Sequence, residues 1–139
     1  MDYLKIRVKF LATCMIMLTF LSCKKDSVSE SLDNVQLSET IWEGTLILKE
    51  NKTIPIRITF ENSSDGNYFI VDKYKEDLSG YASNSPLTYA KKNKILCFDK
   101  GYNNILMGDW WIKEIKGDNI VLFRQTGEKT DNLTIHKTN

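Results

Sequence analysis

From about Glu39 onward, apolar and polar residues alternate with a period of two. Ile54, Ile56, Ile58 and Phe60 interleave with Thr53, Pro55, Arg57, Thr59 and Glu61, the pattern of a strand with one dry and one wet face. Trp42, Gly44, Leu46 and Leu48 give the preceding segment the same alternation, and Glu50-Asn51-Lys52 supplies a turn, so the two predict a hairpin. Pro55 has no N–H to donate, which predicts an edge or a bulge on its side of the second strand. Further short strands are expected at residues 68–74, after the turn Ser63-Ser64-Asp65-Gly66, and at 87–90, 95–99, 105–107, 110–115, 120–125 and 133–136, about nine in all. Lys116-Gly117-Asp118-Asn119 is the clearest tight turn, because Gly and Asn tolerate the positive φ that hairpins demand. No long stretch carries an apolar stripe at helical spacing. The expected fold is all-β, an antiparallel meander closing into a small barrel, with a β-sandwich as the alternative. Closure is the favoured choice because it removes exposed sheet edges.

Two segments break this pattern. In residues 1–22, Lys5, Arg7 and Lys9 precede an apolar run from Phe10 to Leu21, followed by an abrupt turn to polarity. A helix of that run rises only about 18 Å, well short of a bilayer core, so a signal peptide is expected and not a membrane span. The end of the run, Phe20-Leu21-Ser22-Cys23, resembles the lipobox of bacterial lipoproteins, in which a small residue precedes a Cys that becomes the new N-terminus. The resemblance implies diacylglyceryl transfer to the Cys23 sulfur and acylation, commonly palmitoylation, of the freed amine. Cys14 follows Lys9 too closely to serve instead. Residues 23–38 are polar with scattered apolar positions (Val28, Leu32, Val35, Leu37) and read as the lipidated Cys and a tether, leaving 39–139 as the folded domain.

Composition then narrows the function classes. The chain has 19 basic and 18 acidic residues for a net charge of +1, too even for a protein reading nucleic-acid phosphates through a broad basic face. Losing residues 1–22 removes Lys5, Arg7, Lys9 and Asp2 and turns that charge to −1. With Cys14 cleaved off and Cys23 lipidated, Cys97 stands alone, so no intramolecular disulfide is expected. Within Ile95-Leu96-Cys97-Phe98 it reads as a buried small hydrophobe.

An N-terminal signal, a Cys anchor, a polar tether, an early Trp42-Glu43-Gly44 strand and a meander ending in Leu133-Thr134-Ile135 together look like the small lipocalin-like lipoproteins of Bacteroidetes-type bacteria. The likeness covers roughly residues 39–139. It implies a lipocalin-like barrel, an outer-membrane lipid anchor on the periplasmic or surface face, and binding of a small ligand. Asp26-Ser27-Val28 also looks like the pattern such bacteria O-glycosylate.

Residues for catalysis are few. His136 is the sole His, three residues from the C-terminus and expected on the wet face of the last strand, and neither a Gly-x-Ser-x-Gly elbow nor a phosphate-binding Gly loop occurs. Asp72, Glu76 and Asp77 read as solvated loop acids, and Lys91-Lys92-Asn93-Lys94 as a solvated turn. No enzyme, cofactor or metal is expected. The aromatic residues are the suggestive set: Trp42, Tyr68, Tyr74, Tyr81, Tyr89, Tyr102, Trp110 and Trp111. Adjacent Trp110 and Trp111 must point to opposite faces of a strand. Trp42, Tyr68, Trp110 and Trp111 are the candidate lining of a pocket for a small apolar or glycan ligand, with Gly101-Tyr102-Asn103-Asn104 as nearby hydrogen-bonding groups. The alternative is an interaction module that docks on another envelope protein, through an edge near Pro55.

Overall fold

The computed structural model describes residues 30–49, 51–70, 78 and 80–139. Residues 1–22, expected to be a signal peptide, and Cys23, Ser27, Asp72, Tyr74, Glu76 and Asp77 lie outside the described residues. Eight strands follow in order: β1 (Thr40–Ile47), β2 (Thr53–Phe60), β3 (Asp65–Ile70), β4 (Asn84–Lys92), β5 (Ile95–Asp99), β6 (Gly108–Lys116), β7 (Asn119–Thr126) and β8 (Lys129–Lys137). Each pairs antiparallel with the next, and β8 returns to β1, so the meander is a closed, small lipocalin-like barrel and not a sandwich.

The two-residue period explains the packing. Ile54, Ile56, Ile58 and Phe60 all point inward and are buried, while Thr53 and Arg57 point out. Across the sheet the dry faces meet: Trp42 pairs with Ile58, Leu46 with Leu133 and Leu122 with Leu133. Burying each large aliphatic or aromatic side chain contributes about 1.5–3 kcal/mol, which drives closure. Gly44 is needed where β1 bends against β8, since a Cβ there would run into the Thr134 carbonyl oxygen. A bulge between Ile112 and Glu114 adds twist to β6 and leaves Lys113 outside the ladder.

The structure corrects four expectations. Residues 105–107 form no strand; they are a turn whose Ile105 and Leu106 are both buried, which a strand's alternation forbids. β2 is not an edge strand: it pairs with both β1 and β3, with Pro55 opposite Thr45 of β1, while the described β2–β3 register ends at Ile56–Ile70. Cys97 is half-buried on the outward side of β5 and not in the core. Residues 30–38 are no free tether, because a 3-10 turn (Leu32–Asn34) docks on the barrel with Leu32 and Leu37 buried in its core.

That docked segment closes one end. The turns after β2, β4 and β6 gather there with residues 30–38 and the C-terminal end of β8. The Leu32 N–H donates to the Asn93 carbonyl (2.7 Å), the Asn93 N–H to Asp33 Oδ1 (3.0 Å), and Lys91 Nζ to the carbonyls of Leu32 and Val35 (3.0 and 2.6 Å). Lys91 is thus a cap for the 3-10 turn and not a free surface cation.

Candidate functional site

The loops after β1, β3 and β5 gather at the opposite end with the β7–β8 turn. Here the β5–β6 loop, residues 100–107, folds inward as a second plug. Gly101 starts it at a φ of 91°, so close to β4 that a Cβ would stand 2.5 Å from the Pro86 carbonyl oxygen. Asn104 ties the loop to itself, donating from Nδ2 to the Lys100 carbonyl (2.8 Å) and accepting the Leu106 N–H at Oδ1 (2.8 Å).

Three of the four aromatic residues expected to line a pocket hold these plugs. The Tyr68 hydroxyl donates to the Ala82 carbonyl (2.7 Å) and accepts the Ile105 N–H (3.4 Å). Burial raises the Tyr68 phenol above its usual pKa, so it stays a neutral donor. Trp110 Nε1 donates to the Leu106 carbonyl (2.7 Å). At the other end Trp42 Nε1 donates to Thr40 Oγ1 (2.8 Å), whose own hydroxyl donates to the Leu37 carbonyl. All three side chains are at most 1% exposed, so they fill the interior together with their neighbours and surround no open cavity among the described residues. Trp42 is also among the residues that border a surface cleft of about 480 Å³ between residues 30–36 and the β6–β7 turn. Trp111, the fourth, points outward from β6 and is 46% exposed, the opposition to Trp110 that neighbouring strand positions require.

Beside the loop plug lies a cleft of about 390 Å³ lined by Lys49, Tyr81, Asn104, Met107, Gln125 and Thr126. Its floor is an ion pair. Arg124 donates from Nη2 to Asp131 Oδ2 (2.7 Å) and from Nη1 to the Met107 carbonyl (2.6 Å), and Asp131 Oδ1 accepts the Lys49 N–H (2.9 Å). These groups are satisfied within the protein and form a rigid base. Tyr81 and Met107 stand exposed at its rim, and the Tyr81 hydroxyl and Gln125 amide bond to no described residue, so they are available to a ligand. Gln125 and Thr126 gave no signal in the sequence, because polar residues at a strand end look like any turn.

A third depression, about 460 Å³, lies on the outer wall over β8, β1, β2 and β3, where exposed His136 and Phe69 flank the Glu43–Arg57 ion pair. Among the described residues no carboxylate or hydroxyl is bonded to His136. The Cys97 thiol is pushed up to about 11, first by its hydrogen bond to the Asp109 carboxylate and then by burial, so it carries almost no thiolate near neutral pH. Among the described residues no three His, Cys, Asp or Glu side chains converge.

Compared with protein-family models, with curated proteins and with solved structures, the chain matches none.

Proposed function

We propose that this chain is a non-enzymatic lipoprotein of the bacterial envelope, anchored in the outer membrane through acylated Cys23, whose barrel presents a polar cleft to a glycan-class ligand. The observation that carries this reading is the pairing of a filled interior with an accessible 390 Å³ cleft at the end opposite the docked residues 30–38. A filled barrel leaves no room for an apolar ligand inside, which favours the glycan over the apolar member of the expected ligand pair. The cleft offers what saccharides use: an aromatic ring at Tyr81, free hydrogen-bonding groups at Tyr81 and Gln125, and a base already preorganised by Arg124 and Asp131. Neither Cys97 nor His136 has the surroundings of a nucleophile or general base, which supports binding without catalysis.

Amide chemical-shift mapping with a panel of envelope oligosaccharides tests this. Saturable shifts at Tyr81, Met107, Gln125 and Thr126, lost in Tyr81→Ala, are expected. Shifts confined to other surfaces, or none with any saccharide in the panel, would count against the cleft.

A further inference from the structure

One surface is unused by this reading. Along the hydrogen-bonding direction, Lys92 pairs with Ile95, Ile95 with Trp111, and Trp111 with Phe123. All four are outward positions, so they form one row about 14 Å long at the usual strand spacing. Trp111 is 46% exposed, while Ile95 and Phe123 are half-buried beside it. Three exposed cations border the row: Lys92 at its end, Lys94 in the β4–β5 turn and Lys113 on the β6 bulge. None of the three forms an ion pair with a described residue, whereas the nearby acid Glu114 is held by Lys116 at 2.6 Å and Asp109 stands opposite Cys97 in the β5–β6 ladder.

We infer that this face, Ile95, Trp111 and Phe123 edged by Lys92, Lys94 and Lys113, rests on the anionic lipid surface that carries the anchor. The inference relies on the Cys23 anchor proposed above. An indole flanked by ammonium groups suits the interface of an anionic bilayer, where the ring enters the headgroup layer and the cations meet phosphates. Reach agrees with this. Residues 30–38 dock at the end where the β4–β5 turn lies, and Cys23 is seven residues before Glu30, so the lipid is at most about 25 Å from that end even along a fully extended chain. A second copy of the chain fits less well, because a self-complementary contact would set three unpaired lysines against the same three.

Trp111 is its own probe, since Trp42 and Trp110 are buried. The full chain purified from its host is incorporated into vesicles of phosphatidylcholine and phosphatidylglycerol in equal parts, with and without brominated acyl chains. Flotation reports the anchor, and quenching of Trp emission by bromine reports the face. Quenching that is absent in Trp111→Phe, and that falls at least twofold in the triple variant K92E/K94E/K113E, is expected. Protein that floats but shows the same small quenching in Trp111→Phe as in the parent overturns the inference and leaves the anchor standing. Protein that does not float refutes the anchor, and the face is then judged with Cys23 replaced by a histidine tag on nickel-chelating lipid. In that format too, quenching dependent on Trp111 supports the face, and its absence overturns it.

Discussion

Arg124 grips Asp131 through two N–H groups, Nε at 3.1 Å and Nη2 at 2.7 Å, both on the same carboxylate oxygen. The guanidinium also lies 4.4 Å from the Trp110 ring centroid, so one cation joins β7, β8, β6 and the inward-folded loop. The carboxylate side chain is 4% exposed and the Arg124 side chain 16%, which puts the pair among those whose breaking is costly. Asp131→Ala is expected to lower stability by roughly 3 kcal/mol in urea unfolding, because Arg124 is left without its counter-charge. The double variant Arg124→Met/Asp131→Leu should recover a good part of that loss. A single variant within experimental error of the parent would show that the pair is not structural.

Tyr68→Phe removes one hydroxyl and should loosen one loop. Its loss leaves the Ala82 carbonyl without that donor and the Ile105 N–H without that acceptor, for about 1–2 kcal/mol. Hydrogen exchange is expected to accelerate at residues 103–106 before it changes in β1 or β8. Uniform acceleration over the whole barrel would mean that the loop and barrel open together.

The alternating strands were legible because one face of each is dry, and β1, β2, β5, β6 and β7 stand close to where periodicity places them. The two plugs were not. Leu32 and Leu37 are five residues apart, a spacing that matches neither helix nor strand, and consecutive Ile105 and Leu106 imitate a short strand although both are buried from a turn. The aromatic residues were visible as a set, but sequence cannot tell a ring that lines a cavity from one that fills it. That difference depends on what reaches the barrel ends, and here the reaching segments have no periodic signature.

Leu32→Ala tests whether residues 30–38 belong to the fold. Truncating the fully buried leucine by which the docked segment enters the core should cost about 2–4 kcal/mol. A change below about 0.5 kcal/mol, the size usual for surface positions, would return this segment to a tether.

Gly44→Ala should be among the most damaging small substitutions. The added Cβ meets backbone, the Thr134 carbonyl, and cannot be relieved by a side-chain rotation. A loss of about 3 kcal/mol or failure to fold is expected, at the upper end of overpacking costs. Unchanged thermal unfolding would mean that β1 and β8 do not close as described.

The raised Cys97 pKa gives a pH prediction with a definite sign. The Asp109 carboxylate favours the protonated thiol, so alkylation by iodoacetamide should stay slow at pH 8 and rise only as the pH approaches about 11. Asp109→Asn removes the main cause and should shift the rate profile to lower pH. The same group binds its proton more tightly folded than unfolded, so its contribution to stability is present below the ordinary thiol pKa and is lost as pH climbs toward about 11.

Among the described residues the barrel interior is filled with side chains and both ends carry an inward-folded segment, which leaves an apolar ligand no room inside. Titration with cis-parinaric acid, an apolar fluorescent probe, while following energy transfer from the buried Trp42 and Trp110 tests it most directly. In Trp111→Phe protein, no saturable transfer is expected at micromolar probe. Saturable transfer at one probe per barrel would contradict the account and place an apolar ligand inside.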